Sequence, residues 1–448
     1  MPKKTISLSK EQIKKILVIR PDALGDLVLT LPAVQTLKKN FPQASITVLA
    51  RSYTAPLLQE HPAINDVIFD YDLKKHNFDL SVNYFNEPKE TMATFKAGIP
   101  YRLGDSSRIP MGWFNNLRVF RTWNDFTRHE IEFNLDLLAP LNIKDYVKKP
   151  VLKVSNQTNP HLVGIHIGSG GSNNKSWALS EYAKTIDWLI NDKKAQVILL
   201  GGPDAKERAE QLVKLCQTQP VDTVGQLSLR QLIDQISQLK FYLGADTGPT
   251  HIAAALNIPM VVLFLAKRAK PLRWGPWQTR HLVVKNFSSC KKSCFPPNCK
   301  EDIICIEEIK AAEVIRACET VLAGGGVKDQ TETFRHWCQK SFSVTLVDNS
   351  PEKKRGQHLL ELLQAAGYHA QLVSETNPKK LLNHFISYDT SVIHQVGGKG
   401  SLAIKIAWQL TGSYLCNRAL LIRDQGEKYS QGQELIDQYV LQFRQQVL

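Results

Sequence analysis

Ile16-Leu17-Val18-Ile19-Arg20-Pro21-Asp22-Ala23-Leu24-Gly25-Asp26, running on into Leu27-Val28-Leu29-Thr30-Leu31-Pro32, decides how the first third of the chain folds. Ile16 to Arg20, four apolar residues, mostly β-branched, followed by an arginine, reads as a buried strand. Pro21 to Gly25 reads as a turn. Helical spacing follows from Leu27 to Lys39, with a break or restart expected at Pro32, because proline lacks the N–H that a helix interior needs. Working outward, Ser45 to Ala50 reads as a second strand, Ala55 to Glu60 as a short helix and Val67 to Phe69 as a third strand. Strand, helix and strand at this spacing predict a parallel sheet with crossovers. Residues 96 to 130 are less regular.

The alternation restarts near residue 161. Strands are expected at His161–Ile167, Gln196–Leu200, Lys240–Gly244 and Met260–Leu265. Helices are expected at Glu181–Asn191, Ala205–Cys216, Leu229–Leu239 and Thr250–Leu256. A polar, proline-bearing stretch from Val147 to Pro160 reads as a linker. After Gly324-Gly325-Gly326 comes one more alternation, with strands near Val344–Val347, Gln371–Val373 and Val392–His394 and a helical tail to Leu448. The reading is an α/β protein with two doubly wound units, 1–155 and 156–323, and a small appended α/β domain over 327–448. Gly397-Gly398-Lys399-Gly400-Ser401 lacks phosphate-loop spacing and reads as a turn.

With 448 residues, 43% of them hydrophobic and 22% charged, the chain has the balance of a globular protein with real cores. No apolar run reaches the length of a membrane span, and the basic start lacks a signal-peptide core, so a cytoplasmic protein is expected. A net charge of +14 points to an acidic partner. The basic residues are dispersed and no nucleic-acid module is visible, so phosphorylated ligands and anionic lipid are favoured over nucleic acid.

Two turns carry chemistry. Gly25-Asp26 lies at the carboxyl end of the first strand, where open α/β sheets place ligands. The same spacing fits an Asp26 that merely caps the helix. Gly244-Ala245-Asp246-Thr247-Gly248-Pro249-Thr250-His251 ends a strand in an acid and opens a helix, whose first N–H groups form a phosphate site. A plain strand-to-helix turn, with His251 a satisfied helix residue, fits that spacing equally.

Taken in order, these segments resemble glycosyltransferase family 9, the heptosyltransferases of lipopolysaccharide core synthesis. The resemblance also includes Ile99-Pro100-Tyr101-Arg102-Leu103-Gly104, His129-Glu130-Ile131-Glu132, Lys175-Ser176-Trp177, Leu200-Gly201-Gly202 and Val224-Gly225, and covers residues 14 to about 320. It implies a GT-B fold, two Rossmann-like domains facing a cleft, with donor held mainly by the second. It further implies Asp26 as the base that deprotonates the acceptor hydroxyl, and Lys175 at the donor phosphates. Asp246 would bind donor-sugar hydroxyls, Thr247 and Gly248 would offer amides to the diphosphate, and His251 would support binding. Gly201-Gly202-Pro203-Asp204 closes another strand of the second unit, a pattern that fits an approach to the nucleotide, with Asp204 at a ribose hydroxyl, or a plain tight turn. Arg102, Arg108 and Arg121, within a wider group holding Arg118 and Arg128, would receive an anionic glycolipid acceptor. The implied reaction inverts the anomeric carbon, with ADP-heptose as donor and no cofactor or metal required. Peripheral contact with the cytoplasmic face of the inner membrane is expected. The stretch Gly168-Ser169-Gly170-Gly171-Ser172 is richer in glycine and serine than the family pattern, and residues beyond about 320 lie outside the resemblance.

Cys290, Cys294, Cys299 and Cys305 cluster, but their spacing is not that of paired zinc ligands, and no metal is expected there. The competing readings are the same chemistry with another nucleotide sugar, or a non-catalytic sugar-nucleotide-binding protein. An oxidoreductase is set aside, because neither unit shows Gly-x-Gly-x-x-Gly after its first strand.

Overall fold

The computed structural model describes residues 10–85, 87–107, 111–121, 128–154, 158–168, 176–265, 270–285 and 309–327, and parts of 343–423 that are mainly strands. Three parallel sheets are built in sequence order. The first contains β1 (Lys15–Ile19), β2 (Ser45–Leu49), β3 (Asp66–Ile68), β4 (Leu80–Asn83), β5 (Tyr101–Asp105) and β6 (Leu117–Val119), in the order β3-β2-β1-β4-β5-β6. The second contains β7 (Leu162–His166), β8 (Gln196–Leu200), β9 (Val221–Asp222), β10 (Phe241–Ala245), β11 (Met260–Phe264) and β12 (His281–Lys285), in the order β12-β11-β10-β7-β8-β9. Both orders reverse direction at their first strand. That reversal opens a crevice at the carboxyl ends of the strands, beside β1 and β4 in one sheet and β7 and β10 in the other.

The first sheet carries α1 (Leu24–Asn40), α2 (Ala55–Leu58), α3 (Pro88–Lys96) and α4 (Glu130–Asp136). The second carries α5 (Leu179–Asn191), α6 (Lys206–Leu215), α7 (Leu229–Ser237), α8 (Gly248–Ala255), α9 (Pro271–Trp274) and α10 (Ala311–Leu322). The strands are apolar along their whole length because both faces are covered: Leu17, Val18 and Ile19 are fully buried. One buried cluster runs from Ile16, Val18 and Leu27 through Leu31 and Val34 to Ile252, Ala253 and Val262. The two sheets therefore share a core, with α1 and α8 packed between them.

That packing explains why α1 passes through Pro32 without a break, contrary to the expected restart. Eleven of its residues are buried, Pro32 among them. Tertiary burial of a helix that is apolar nearly all round outweighs one missing backbone bond. The linker stays close to the body. Val147 N donates to Thr36 Oγ1 and Trp277 Nε1 to Lys148 O.

The third sheet contains β13 (Ser343–Asn349), β14 (His369–Val373), β15 (Val392–Gly398) and β16 (Leu420–Arg423), all parallel in the order β14-β13-β15-β16. Leu420–Arg423 is thus a strand where the sequence suggested helix: four apolar or long side chains alone carry no periodicity that separates the two. Gly397 and Gly398 extend β15 beside Asp348 and Asn349. Among the described residues no helix is long and apolar enough to cross a membrane.

Candidate active site

Arg20 directly follows β1, and its 4% exposure puts a charge where only apolar residues precede it. Such a charge persists only when paired. Its guanidinium donates to Tyr84 O at 2.7 Å and to Asp26 Oδ1 at 2.6 Å, and its Nε lies 3.1 Å from Asp22 Oδ1. Asp26 occupies the first turn of α1, while the N-cap is Ala23 and makes no side-chain cap. The Asp26 carboxylate is committed to Arg20 instead of to helix capping. Burial drives its pKa up; Arg20 pulls it back, Glu130 adds to the rise, and the net shift is upward.

Glu130, the first residue of α4, collects the remaining cations. Arg273 of α9 places Nε at 2.9 Å and a terminal nitrogen at 2.8 Å from Glu130 Oε2. Arg121 bonds Glu130 Oε1, and Arg20 stands 3.9 Å from the same oxygen. Burial alone would raise the Glu130 pKa, but Arg121, Arg273 and Arg20 together hold it below the usual carboxylate range. Because Arg273 belongs to the second sheet's half, this buried cluster also ties the halves together.

His129 adds a second tie. Its Nδ1 accepts from Ile131 N, so Nε2 carries the proton and donates to Gly275 O at 2.9 Å. The ring stacks on Trp277 at 4.5 Å. Burial lowers its pKa to about 3, which keeps it neutral.

On the opposite side, β10 ends at Ala245 and Asp246 leads through Thr247 into α8. The amides of Thr247 and Gly248 stand at the head of this helix, where backbone N–H groups have no intrahelical acceptor. Asp246 Oδ1 lies 3.7 Å from His251 Nε2. Burial raises the Asp246 pKa to about 7, with the charge of Asp26 contributing. Burial also lowers His251 to about 4. His166, at the end of β7, places Nδ1 3.4 Å from Thr247 Oγ1 and is likewise held neutral by burial, near 4.

The two helix starts touch. A Cβ added to Gly25 would come 2.7 Å from His251 Cδ2, and one added to Gly248 would come 3.0 Å from Leu24 Cβ. Glycine at both places lets the Asp26 turn and the Asp246 turn abut. Gly25→Ala is expected to cost about 1–3 kcal/mol by overpacking. It should also lower kcat/KM, because the added methyl pushes the Asp26 turn away from His251 and the Asp246 turn. Chemical denaturation and steady-state rates check this.

A second expectation concerns pH. A carboxyl whose folded-state pKa lies above its unfolded value holds its proton more tightly in the fold. Stability is then lost as pH rises from about 4 through about 7. Asp246→Asn removes that loss, so in the ligand-free protein the variant should melt higher than wild type at about pH 8 and close to it at about pH 5. Equal offsets at both pH values would contradict the assignment.

The other sequence candidates are placed as follows. Gly201 and Gly202 follow β8, and Gly201 O accepts from Gly225 N at 3.0 Å. Of the arginines, Arg121 joins the Glu130 cluster. Arg102 instead braces its own loop, donating to Phe114 O at 2.8 Å and to Ile99 O. Lys175, Arg108 and all four clustered cysteines lie outside the described residues. Among the described residues no group of histidine, cysteine and acid side chains is arranged to hold a metal ion, and Cys216 and Cys318 are buried free thiols. Sequence reasoning did not single out Arg20, His166 or Arg273, and gave Glu130 no role. An arginine ending a buried apolar run was the available signal for Arg20. Glu130 looked like an ordinary acid in a helix's first turn.

A family model described as glycosyltransferase family 9 (heptosyltransferase) matches residues 69–304, more than half of the chain. The chain belongs to glycosyltransferase family 9. It is therefore a transferase of the GT-B type, its two Rossmann-like units being the first two sheets with their helices. Lipopolysaccharide heptosyltransferase 3 of Escherichia coli is 27% identical over 287 residues, spanning 56% of this chain and 83% of the relative. A family 9 glycosyl transferase from Veillonella parvula superposes with a TM-score of 0.60 at 20% identity, over 70% of this chain and 98% of that one. An E. coli heptosyltransferase solved with ADP-2-deoxy-2-fluoro heptose superposes with a TM-score of 0.53 at 18% identity, over 68% and 99%. These last two likenesses concern the fold. The matched residues run from β4 through β12, so β1 to β3 and the third sheet lie outside the match.

Proposed function

We propose that this family 9 enzyme transfers heptose from ADP-heptose to a hydroxyl of an anionic, lipopolysaccharide-core-type acceptor. The observation that carries the reading is the abutment of the Asp26 turn and the Asp246 turn, one from each half. Asp26 is the general base. As the acceptor oxygen forms its bond to the anomeric carbon, Asp26 takes the hydroxyl proton. The bond from that carbon to the diphosphate oxygen breaks on the opposite face, ADP leaves and configuration inverts. A carboxylate with a raised pKa suits this role, since a base works best when its pKa approaches the operating pH.

The donor half supplies complementary groups. The amides heading α8 meet the diphosphate, joined by Lys175 on the strength of the family resemblance, so charge growing on the leaving group is neutralised without requiring a metal. Asp246 accepts from hydroxyls of the donor sugar, with neutral His251 and His166 beside it. Arg121, held by Glu130, and Arg108, on the strength of the family resemblance, serve the acceptor's anionic groups, while Arg102 is spent on its own loop. The bound acceptor brings the enzyme to the cytoplasmic face of the inner membrane.

The test is a panel of nucleotide sugars scored by melting temperature. A ligand that binds only the fold stabilises it by about 2.7 kcal/mol at a hundredfold excess over its Kd. ADP-heptose is expected to give the largest rise, and Asp246→Ala to reduce it. A clear preference for a UDP-sugar would replace the donor; stabilisation without any transfer would favour a binding protein.

A further inference from the structure

The acceptor-side half carries a surface that the transfer chemistry does not use. Phe95 of α3, Trp113 and Phe120 are 48%, 65% and 73% exposed. They are spread along the β6 edge of the first sheet, Phe95 beside the start of β5, where Arg102 lies over its ring, and Phe120 just past the end of β6. Trp113 lies in a 3-10 turn, Met111–Phe114, that packs on α3 through a Phe95–Phe114 edge contact at 5.1 Å. The backbone of Ser106 ties that turn to the end of β6. A Cβ on Gly112 would come 2.7 Å from Ser106 Cα, and Ser106 N donates to Val119 O at 2.9 Å. Phe120 follows at once. Single exposed apolar residues are ordinary, but three aromatic side chains left in solvent along one sheet edge are not. The contrast within the molecule is sharp. Among the described residues, every exposed large aromatic lies in the first half, and the large apolar residues exposed in the second are Leu215 and Val221.

Charge distinguishes what this edge fits. From residue 95 to residue 121 the sequence holds Lys96, Arg102, Arg108, Arg118 and Arg121 against a single acid, Asp105. Asp105 is buried and occupied, accepting from Ser107 and from Arg121 N. Lys96 and Arg118 are exposed. Aromatic rings interleaved with cations, with no exposed carboxylate between them, suit an interface that is apolar below and anionic above. A protein partner with an apolar patch would gain nothing from the cations, and a soluble polyanion nothing from the rings.

Position completes the argument. Phe120 adjoins Arg121, whose guanidinium bonds Glu130 in the site. The Phe120 end of this edge thus borders the acceptor side of the cleft. We propose that Phe95, Trp113 and Phe120, with Lys96 and Arg118, form the surface by which this enzyme docks on an anionic bilayer, inserting the rings among headgroups. An acceptor anchored by its lipid then reaches Asp26 without leaving the membrane. That last clause rests on the proposed acceptor; the docking surface does not.

The experiment uses the full chain and vesicles without donor or acceptor. Cosedimentation is compared for pure phosphatidylcholine and for equal parts phosphatidylcholine and phosphatidylglycerol. Wild type is expected to bind the anionic vesicles, more weakly as salt rises, and Trp113→Ser/Phe120→Ser to bind at least about tenfold more weakly. Leu215→Ser is the control and should bind as wild type. Because the double variant can fail to fold, Trp113→Phe is measured beside it. Brominated phosphatidylglycerol should quench wild-type tryptophan emission, and this variant should lose a clear part of that quenching. Unchanged binding in a folded double variant, or unchanged quenching in Trp113→Phe, overturns the proposal, as does equal binding to neutral vesicles. Transfer to a delipidated acceptor is assayed separately. Its absence would remove the proposed reaction and leave the vesicle result standing.

Discussion

Asp26→Asn is expected to lower turnover by about 10²–10⁴-fold while leaving the donor-induced rise in melting temperature nearly intact. The asparagine keeps the size of the side chain and a carbonyl for Arg20, so the 2.6 Å contact survives in weakened form. What disappears is the capacity to take a proton. The pH profile supplies a stricter check. In wild type kcat/KM should rise with pH as Asp26 ionises and then level off. Arg20 lowers the Asp26 pKa, so Arg20→Gln should move that rise to higher pH. Near-wild-type turnover in Asp26→Asn would remove it as the base.

The second large effect is on stability. Glu130→Gln removes the negative charge that Arg121 and Arg273 share, both of them buried at 6% and 2% exposure. Breaking a buried ion pair by removing one partner costs about 3–5 kcal/mol, because the uncompensated charge remains in a poorly solvated place. Denaturant unfolding should show a loss of that size. Glu130→Asp should lose less, since it keeps the charge and can still meet one arginine. The Glu130 charge also raises the Asp26 pKa. In the fraction of Glu130→Gln that stays folded, the rise of kcat/KM should therefore shift to lower pH, opposite to Arg20→Gln. A purely structural Glu130 would leave that midpoint where it is. The two shifts, of opposite sign, test whether the cluster poises the base as well as holding the halves together.

Gln196–Leu200 was legible to the residue, and β1, β2, β10 and β11 came within one residue of their expected ends. These strands are buried on both faces and so are written as unbroken apolar runs. β4, β5 and β6 were not legible. Leu80-Ser81-Val82-Asn83 alternates with polar residues that are nonetheless buried, and Tyr101-Arg102-Leu103 carries an arginine that bonds loop carbonyls. In the site, Gly25, Asp26, Asp246 and Gly248 stood out because turns at strand ends concentrate glycine and acid residues. His166 and Arg273 did not, because each acquires its meaning from a residue far away in sequence.

The parallel alternation, its restart near residue 161 and the two turns where ligands gather are all written locally, since burial on both faces and tight turns each demand particular residue types. The abutment of the two turns and the continuity of α1 through Pro32 emerge from long-range packing alone. That packing also decided that Glu130, from one half, holds Arg273 of the other. The reason is physical: backbone propensity acts over a few residues, whereas the pairing of buried charges and the contact of two glycine-bearing helix starts depend on which surfaces the whole chain brings together.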